Sequence, residues 1–436
     1  MQTGRSGCLS GLIVFIMLLC VGLSSCSRGG DDPSSAVSTR TVTITVNTMY
    51  AGDEYADIFY DAVSSWESMT GYKVKTVSNT SDEAYKKRIL MEFQTGAEPD
   101  VLFYFNGVDS NSLVANKRVI PLDTIRSLYP DYASNMKESM MKASNYDGKI
   151  YAVPVNGYWE ALFVNVRALH ELGLEMPDTE TDWDSFMRLC SEIKAKGRIP
   201  IAASLSEIPH YWFEYCIYNH QNPDNHALVP EFVVDNTAQA WIAGLEDIKY
   251  MYEQGYFPEN TLYMSDEISK SLFLSGDAIF LLEGSWYAST INERKDSDDF
   301  AVTYVPGTAT RKTTDIIGGL STGYFITKKA WEDEEKRDAA VSFVEYMTAD
   351  ERISKFAAIS ATALKNGVEY TGTPSSFYES ALGMSEGATG CSEAVQDQLP
   401  AYCRAPIFEN MQGLMQGTSD ITEAVREVIR RKKQKD

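Results

Sequence analysis

Histidine is scarce. The chain holds four, at positions 170, 210, 220 and 226, among 436 residues. None sits in an HExxH pair, and the intervals between His210, His220 and His226 do not place two imidazoles on one helical face. No metal site is therefore expected. Cysteine is short of pattern as well as number. Cys8, Cys20 and Cys26 belong to the N-terminal segment, and Cys190, Cys216, Cys391 and Cys403 show no CxxC spacing, which argues against structural zinc. Cys391 and Cys403 are left as possible disulfide partners. No P-loop or Rossmann glycine fingerprint occurs, so no cofactor is expected. Positive charge is outnumbered: 39 Lys and Arg stand against 61 Asp and Glu, a formal net charge of -22. A body of that sign repels phosphates, so nucleic acid is not an expected partner. The basic end (Arg426, Arg430, Arg431, Lys432, Lys433, Lys435) suits a solvated helix C-terminus. After residue 25, no apolar run reaches the roughly 18 residues a membrane helix needs.

What is present begins with a leader. Arg5 precedes a short apolar segment, Leu12–Val21, of signal-peptide length. Leu23-Ser24-Ser25-Cys26 then resembles a bacterial lipobox, in which cleavage before Cys26 leaves its thiol lipidated. Ser25 stands where Gly or Ala is usual. Residues 1–25 are thus expected to be a lipoprotein signal peptide. Residues 26–40, rich in Gly, Ser, Asp and Pro, follow as lipidated Cys and flexible tether. This predicts an extracytoplasmic protein held to the membrane by a lipid anchor alone.

The remainder alternates strands and helices. TVTITVN (41–47) reads as a strand. Ile58, Phe59, Ala62, Val63 and Trp66 mark one face of a helix. Tyr72–Val77 is the next strand, Ser81 and Asp82 open a helix to Gln94, and VLFYF (101–105) is a buried strand. The order implies an α/β fold with mainly parallel sheets, in which ligands bind beyond the carboxyl ends of strands. Crossings between two lobes are expected near DGKIYAVPV (147–155) and near DFAVTYVP (299–306). A first lobe of 41–155 with 305–350 and a second of 156–304 with 351–436 follow. In LFLSGDAIFLLEGSW (272–286), Leu272 to Leu274 close a helix, Gly276 suits its C-cap, and Ala278 to Leu282 form a buried strand. Ser285 is expected to cap the next helix, with Glu283 and Trp286 as the wall of a site.

Several stretches, in this order, resemble the extracellular solute-binding proteins of carbohydrate ABC importers, the maltose- and multiple-sugar-binding group. They are PDVLFYF (99–105), DGKIYAVPV (147–155), EALFVNVRALHELGLEMPDTETDWDSF (160–186), SLFLSGDAIFLLEGSW (271–286), GGLSTGYFITKKA (318–330), KRDAAVSFVEYMTADE (336–351) and GTSDITEAV (417–425). The family's P-x-T-W is stretched here between Pro177 and Trp183, with Asp182 or Asp184 left to cap the helix. The resemblance implies a two-lobe periplasmic-binding-protein-like fold closing by hinge motion on a mono- or oligosaccharide, a monomer that delivers its ligand to ABC permease subunits.

Sugars present C–H faces to aromatic rings and hydroxyls to planar polar groups. Strand ends and crossings supply candidates: Tyr50, with Asp53 and Glu54 beyond it; Tyr104 and Asn106; Asn156, Tyr158, Trp159 and Glu160; His210, Tyr211 and Trp212; Glu283 and Trp286; and Gly318 and Gly319, where backbone can approach closely. The resemblance adds ligand contacts at or near Glu160 and in a late loop with Tyr402 and Arg404. Three rivals stand beside this. Gly319–Gly323 matches the G-x-S-x-G nucleophile elbow, but YFIT after it reads as a strand and every histidine precedes Ser321. A glycoside hydrolase needs two carboxylates across the bond, and the acidic residues are too many for sequence to exclude one. A two-lobe binder of a sugar phosphate, polyamine or metal complex is the third. No catalysis is expected.

Overall fold

A computed structural model describes residues 41–51, 55–80, 83–141, 145–155, 157–221, 228–357, 360, 362–367 and 375–434. Cys26, the tether, Asp53, Glu54 and Asn156 lie outside them. The strands in chain order are β1 (Thr43–Thr48), β2 (Lys73–Ser78), β3 (Val101–Phe105), the short pair β4 (Asn145–Tyr146) and β5 (Lys149–Ile150), β6 (Tyr158–Asn165), β7 (Ile199–Ala202), β8 (Ala278–Gly284), β9 (Phe300–Thr303), β10 (Asp315–Gly319), β11 (Thr322–Ile326) and β12 (Gly390–Ser392).

The first sheet has the order β11-β3-β1-β2. β1 runs parallel to β2 and β3, and β11 closes the edge antiparallel to β3. Ile44 and Val46 alternate into the core, as β-branched residues on a pleated strand should. Helix Ala56–Thr70 buries Phe59, Ala62, Val63 and Trp66 against it. The Trp66 indole donates to Ser342 Oγ at 3.2 Å and meets Phe343 edge-on, which docks helix Glu334–Met347 on the same body.

The second sheet has the order β12-β10-β6-β8-β7, with β9 also on β6. It is mixed, not mainly parallel. β6 runs antiparallel to β8, β9 and β10, while β7 follows β8 and β12 follows β10. The crossings explain this. β6 leaves the first body through residues 151–155, and β10 returns to it through Gly319–Thr322. Neighbours that leave and return must run in opposite directions. The two crossings also bond each other, Val153 N–H to Tyr324 O at 3.1 Å and Tyr324 N–H to Val153 O at 2.9 Å.

Residues 315–319 form β10 of the second sheet. Ile353, Phe356, Ala357, Ala363 and Leu364 pack in the core of the first sheet. Arg311 is fully buried and organises the loop before β10. Its guanidinium donates to Asn219 Oδ1 and to the carbonyls of Val305, Pro306, Lys312 and Asp315, between the faces of Tyr215 and Tyr218. Cys391 is exposed on β12 and Cys403 is buried in the second core, and no disulfide joins them.

Candidate functional site

Register brings several strand ends to one place. Glu160 of β6 lies opposite Gly284 of β8, and Tyr158 opposite Gly319 of β10. The start of β6 and the ends of β8 and β10 therefore share the edge of the second sheet where the chain crosses. From the first body, β3 ends there too. Asn106 donates its N–H to Ser321 O at 2.6 Å and its side-chain amide to Leu320 O at 3.0 Å.

Trp286 is the centre of this edge. Helix Asp266–Ser275 ends at Gly276 in the left-handed conformation (φ 83), and β8 then runs fully buried to Gly284. A 3₁₀ turn, Ser285–Tyr287, follows. Ser285 does not cap it. The Ser285 hydroxyl instead accepts from Trp159 N–H at 3.3 Å. The half-buried Trp286 indole folds back over Gly284, where a Cβ would stand 2.2 Å from ring carbons Cη2 and Cζ2. Only glycine admits that contact. Tyr211 flanks the indole at 5.9 Å between centroids and Tyr158 at 6.1 Å. Tyr211 comes from the first turn of helix His210–Tyr218, Tyr158 from the start of β6.

Carboxylates lie around these rings. Glu283 is wholly buried, accepts from Trp286 Nε1–H at 2.6 Å and from Gly284 N–H at 2.9 Å, and pairs with Lys270 Nζ at 2.8 Å. Glu160 is 1% exposed and its Oε2 has no partner. Burial, with Glu214, Asp397 and Glu283 nearby, pushes the Glu160 carboxyl well above the usual range. Glu214 is spent on the backbone N–H groups of Val395 and Gln396, at 2.7 and 2.9 Å. Asp397 accepts from the Tyr158 hydroxyl at 3.2 Å, and burial raises its pKa to about 7 against the opposing charges of Lys86 and Arg404. The same two cations, after burial, hold His210 down to about 3, so its ring is neutral.

Other predicted residues go elsewhere. Tyr50 stacks on Phe103 at 4.8 Å in the first core, and Tyr104 packs against Tyr85 in the same core. Trp159 and Trp212 are core. Trp159 points to the opposite sheet face from Tyr158 and packs near Phe163, while Trp212 lies between Trp183 and Phe257. Gly318 answers strand packing, since a Cβ there would stand 2.6 Å from Tyr158 O. Gly319 does border Tyr158, with a Cβ position 3.7 Å from its ring. Tyr402 packs against the second core. Arg404 binds Leu399 O, Gln396 O and the carboxylate of Asp109, so its donors serve the protein. Sequence reasoning missed Glu214, Lys270, Asp397, Lys86 and Asp109. Only Lys270 left a trace, its i,i+4 spacing from Asp266, and nothing tied it to Glu283.

After Ser321 the chain enters β11, not a helix, so the elbow pattern has no elbow. Among the described residues no cluster of His, Cys, Asp and Glu is arranged to hold a metal ion, and no helix is long and apolar enough to cross a membrane. A groove of about 490 Å³ lined by Ala405, Pro406 and Glu427 lies on another part of the surface.

A sequence profile described as "Bacterial extracellular solute-binding protein" matches residues 61–364. A "Multiple sugar-binding protein" of Streptococcus mutans is 24% identical over 235 residues, 52% of this chain and 53% of the relative, so the match spans about half that protein's length. Among solved structures, a "Chitin oligosaccharide binding protein" superposes with a TM-score of 0.78 at 18% identity, covering 89% of this chain and 98% of the other. The GacH receptor of Streptomyces glaucescens, solved unliganded and with acarbose, gives 0.72 at 18% identity, covering 91% and 98%.

Proposed function

Because the chain belongs to the bacterial extracellular solute-binding proteins, non-catalytic binders that serve ABC importers, we propose that it captures a carbohydrate between its two sheet bodies and delivers it to an ABC permease. The observation that carries this reading is the pairing of a half-buried aromatic platform with an unspent carboxyl. Trp286 flanked by Tyr158 and Tyr211 suits the C–H face of a sugar ring. Among the described residues Glu160 Oε2 and Asn106 Oδ1 are both buried without partners, and an orphaned carboxyl with an orphaned amide oxygen calls for a ligand that can donate and accept. A polyol does both. The structural relatives named for chitin oligosaccharide and acarbose support the same class of ligand. We assign residues 41–155 and 320–367 to one lobe and 157–319 and 375–434 to the other, following their separate cores. Lipidation at Cys26 would hold this monomer outside the cytoplasm.

The test is a thermal-shift and calorimetric panel of mono- and oligosaccharides, sugar phosphates, polyamines and metal complexes. A ligand that binds only the folded chain raises its melting temperature. At least one neutral sugar is expected to do so, and Trp286→Ala to weaken that sugar at least about tenfold while the unliganded Tm stays within a few degrees. A shift from polyamines, phosphates or metals with none from sugars would overturn the assignment.

A further inference from the structure

Behind the Trp286 platform stands a chain of charged side chains. Asp266, on the first turn of helix Asp266–Ser275, pairs with Lys270 one turn later at 2.7 Å. Lys270 Nζ reaches across to Glu283 Oε2 at 2.8 Å, and Glu283 Oε1 accepts from Trp286 Nε1–H at 2.6 Å. Glu283 is buried at the end of β8, where a carboxylate without a counter-charge would take up a proton. Burial holds the Glu283 carboxyl above its usual value, and Lys270, 2.8 Å away, is the strongest influence drawing it back down.

We propose that Lys270 is a positioning residue for ligand binding, fixing the tilt of the Trp286 indole through the charge and rotamer of Glu283. The inference rests on the reading of Trp286 as the ligand platform. Its logic is geometric. The indole is bounded on one side by Gly284, whose missing Cβ leaves it room, and on two others by Tyr158 and Tyr211. Its one polar atom is held by Glu283 alone among the bonds described. A charged acceptor binds an N–H roughly twice as strongly as a neutral one. A neutral Glu283 would also be free to turn its protonated oxygen toward the indole, where an N–H finds no acceptor. Lys270 is itself fixed, by Asp266 on its own helix and by the face of Tyr287, 4.7 Å from Nζ to the ring centroid. The relay therefore runs from a rigid helix to a ring that has no rigid element of its own beyond one 3₁₀ turn.

Variants at three positions, Lys270, Glu283 and Trp286, and two readouts test this. The indole N–H resonance of Trp286, identified by its loss in Trp286→Phe, reports the bond to Glu283 with no ligand present. Affinity for the best sugar of the panel reports the consequence. Lys270→Met is expected to move the resonance upfield and weaken affinity about tenfold, and Lys270→Arg to restore both. An unmoved resonance overturns the proposal, and so does a moved resonance with unchanged affinity. Should Lys270→Met fail to fold, Glu283→Gln keeps the size and an acceptor oxygen but removes the charge, and the same two readouts apply. If Trp286→Ala binds the sugar as well as the natural chain, it is the platform reading that fails, and the resonance still decides whether Lys270 positions the ring.

Discussion

Burial, aided by Asp109 and Glu214 and opposed by Lys86 and Arg404, raises the Asp397 carboxyl to about 7. Folded, it titrates near 7; unfolded, its value returns to about 4. Between those values the folded chain keeps a proton that the unfolded chain has released. The contribution of Asp397 to stability is then full below about pH 4 and is lost as pH rises toward 7. Asp397→Asn cannot lose it and still accepts from the Tyr158 hydroxyl. Relative to the variant, the natural protein should lose Tm between pH 4.5 and 8. Parallel melting curves across that range would mean that Asp397 ionises normally. The same scale shows what sequence could not resolve. Tyr158 and Trp159 are adjacent, and a strand sends them to opposite faces. Both lie at the first crossing, but only the register of β6 puts Tyr158 beside Trp286 and Trp159 in the core. On the helix His210–Tyr218 the same holds: Tyr211 faces Trp286, while Trp212, one position on, is buried in the core.

At the scale of elements, the sequence was most legible where periodicity was strong. The helix over 56–70, the buried strand at 278–284 and the left-handed Gly276 between helix and strand all follow from local pattern. Strand direction in the second sheet did not, because antiparallel pairing of β6 with β10 depends on which segments cross between bodies. The loop Val305–Asp315 is the clearest case of information absent from local sequence. It has little apolar content and is organised chiefly by one side chain, with Thr308 and Thr313 bonding its edges. Arg311 gathers four carbonyls and Asn219 around its charge, and among the described residues it forms no ion pair. Arg311→Met would keep the volume and leave those acceptors unpaired, at about 3 to 5 kcal/mol. We expect a Tm lower by roughly 5 °C in thermal unfolding. Arg311→Lys should recover little, since one ammonium cannot span the fork. A loss below 1 kcal/mol for Arg311→Met would show that the carbonyls find other donors.

Across the whole molecule, one buried ion pair bridges the two bodies. Asp109, in the helix Val108–Ala115 that follows β3, takes Lys86 Nζ at 2.8 Å from its own body and Arg404 Nη2 at 3.1 Å from the other. All three side chains are nearly inaccessible, so salt screens them weakly. Alongside, Gly107 comes close to the backbone of Asp397, 3.6 Å from its Cβ position to Asp397 O. The bridge therefore ties the helix after β3 to the segment holding Arg404. Removing its negative centre is unusually costly, because Asp109→Asn leaves Lys86 and Arg404 as neighbouring cations in a dry contact. Those two can escape each other only if the bodies part. Asp109→Asn should accordingly raise the radius of gyration of the ligand-free protein in solution scattering. The amides of 395–404 should exchange faster, while those of β1 and β8, deep in their separate cores, should not. A variant with the natural radius and a uniform loss of protection would show instead that the ion pair supports folding as a whole, and that the two bodies do not separate at this contact.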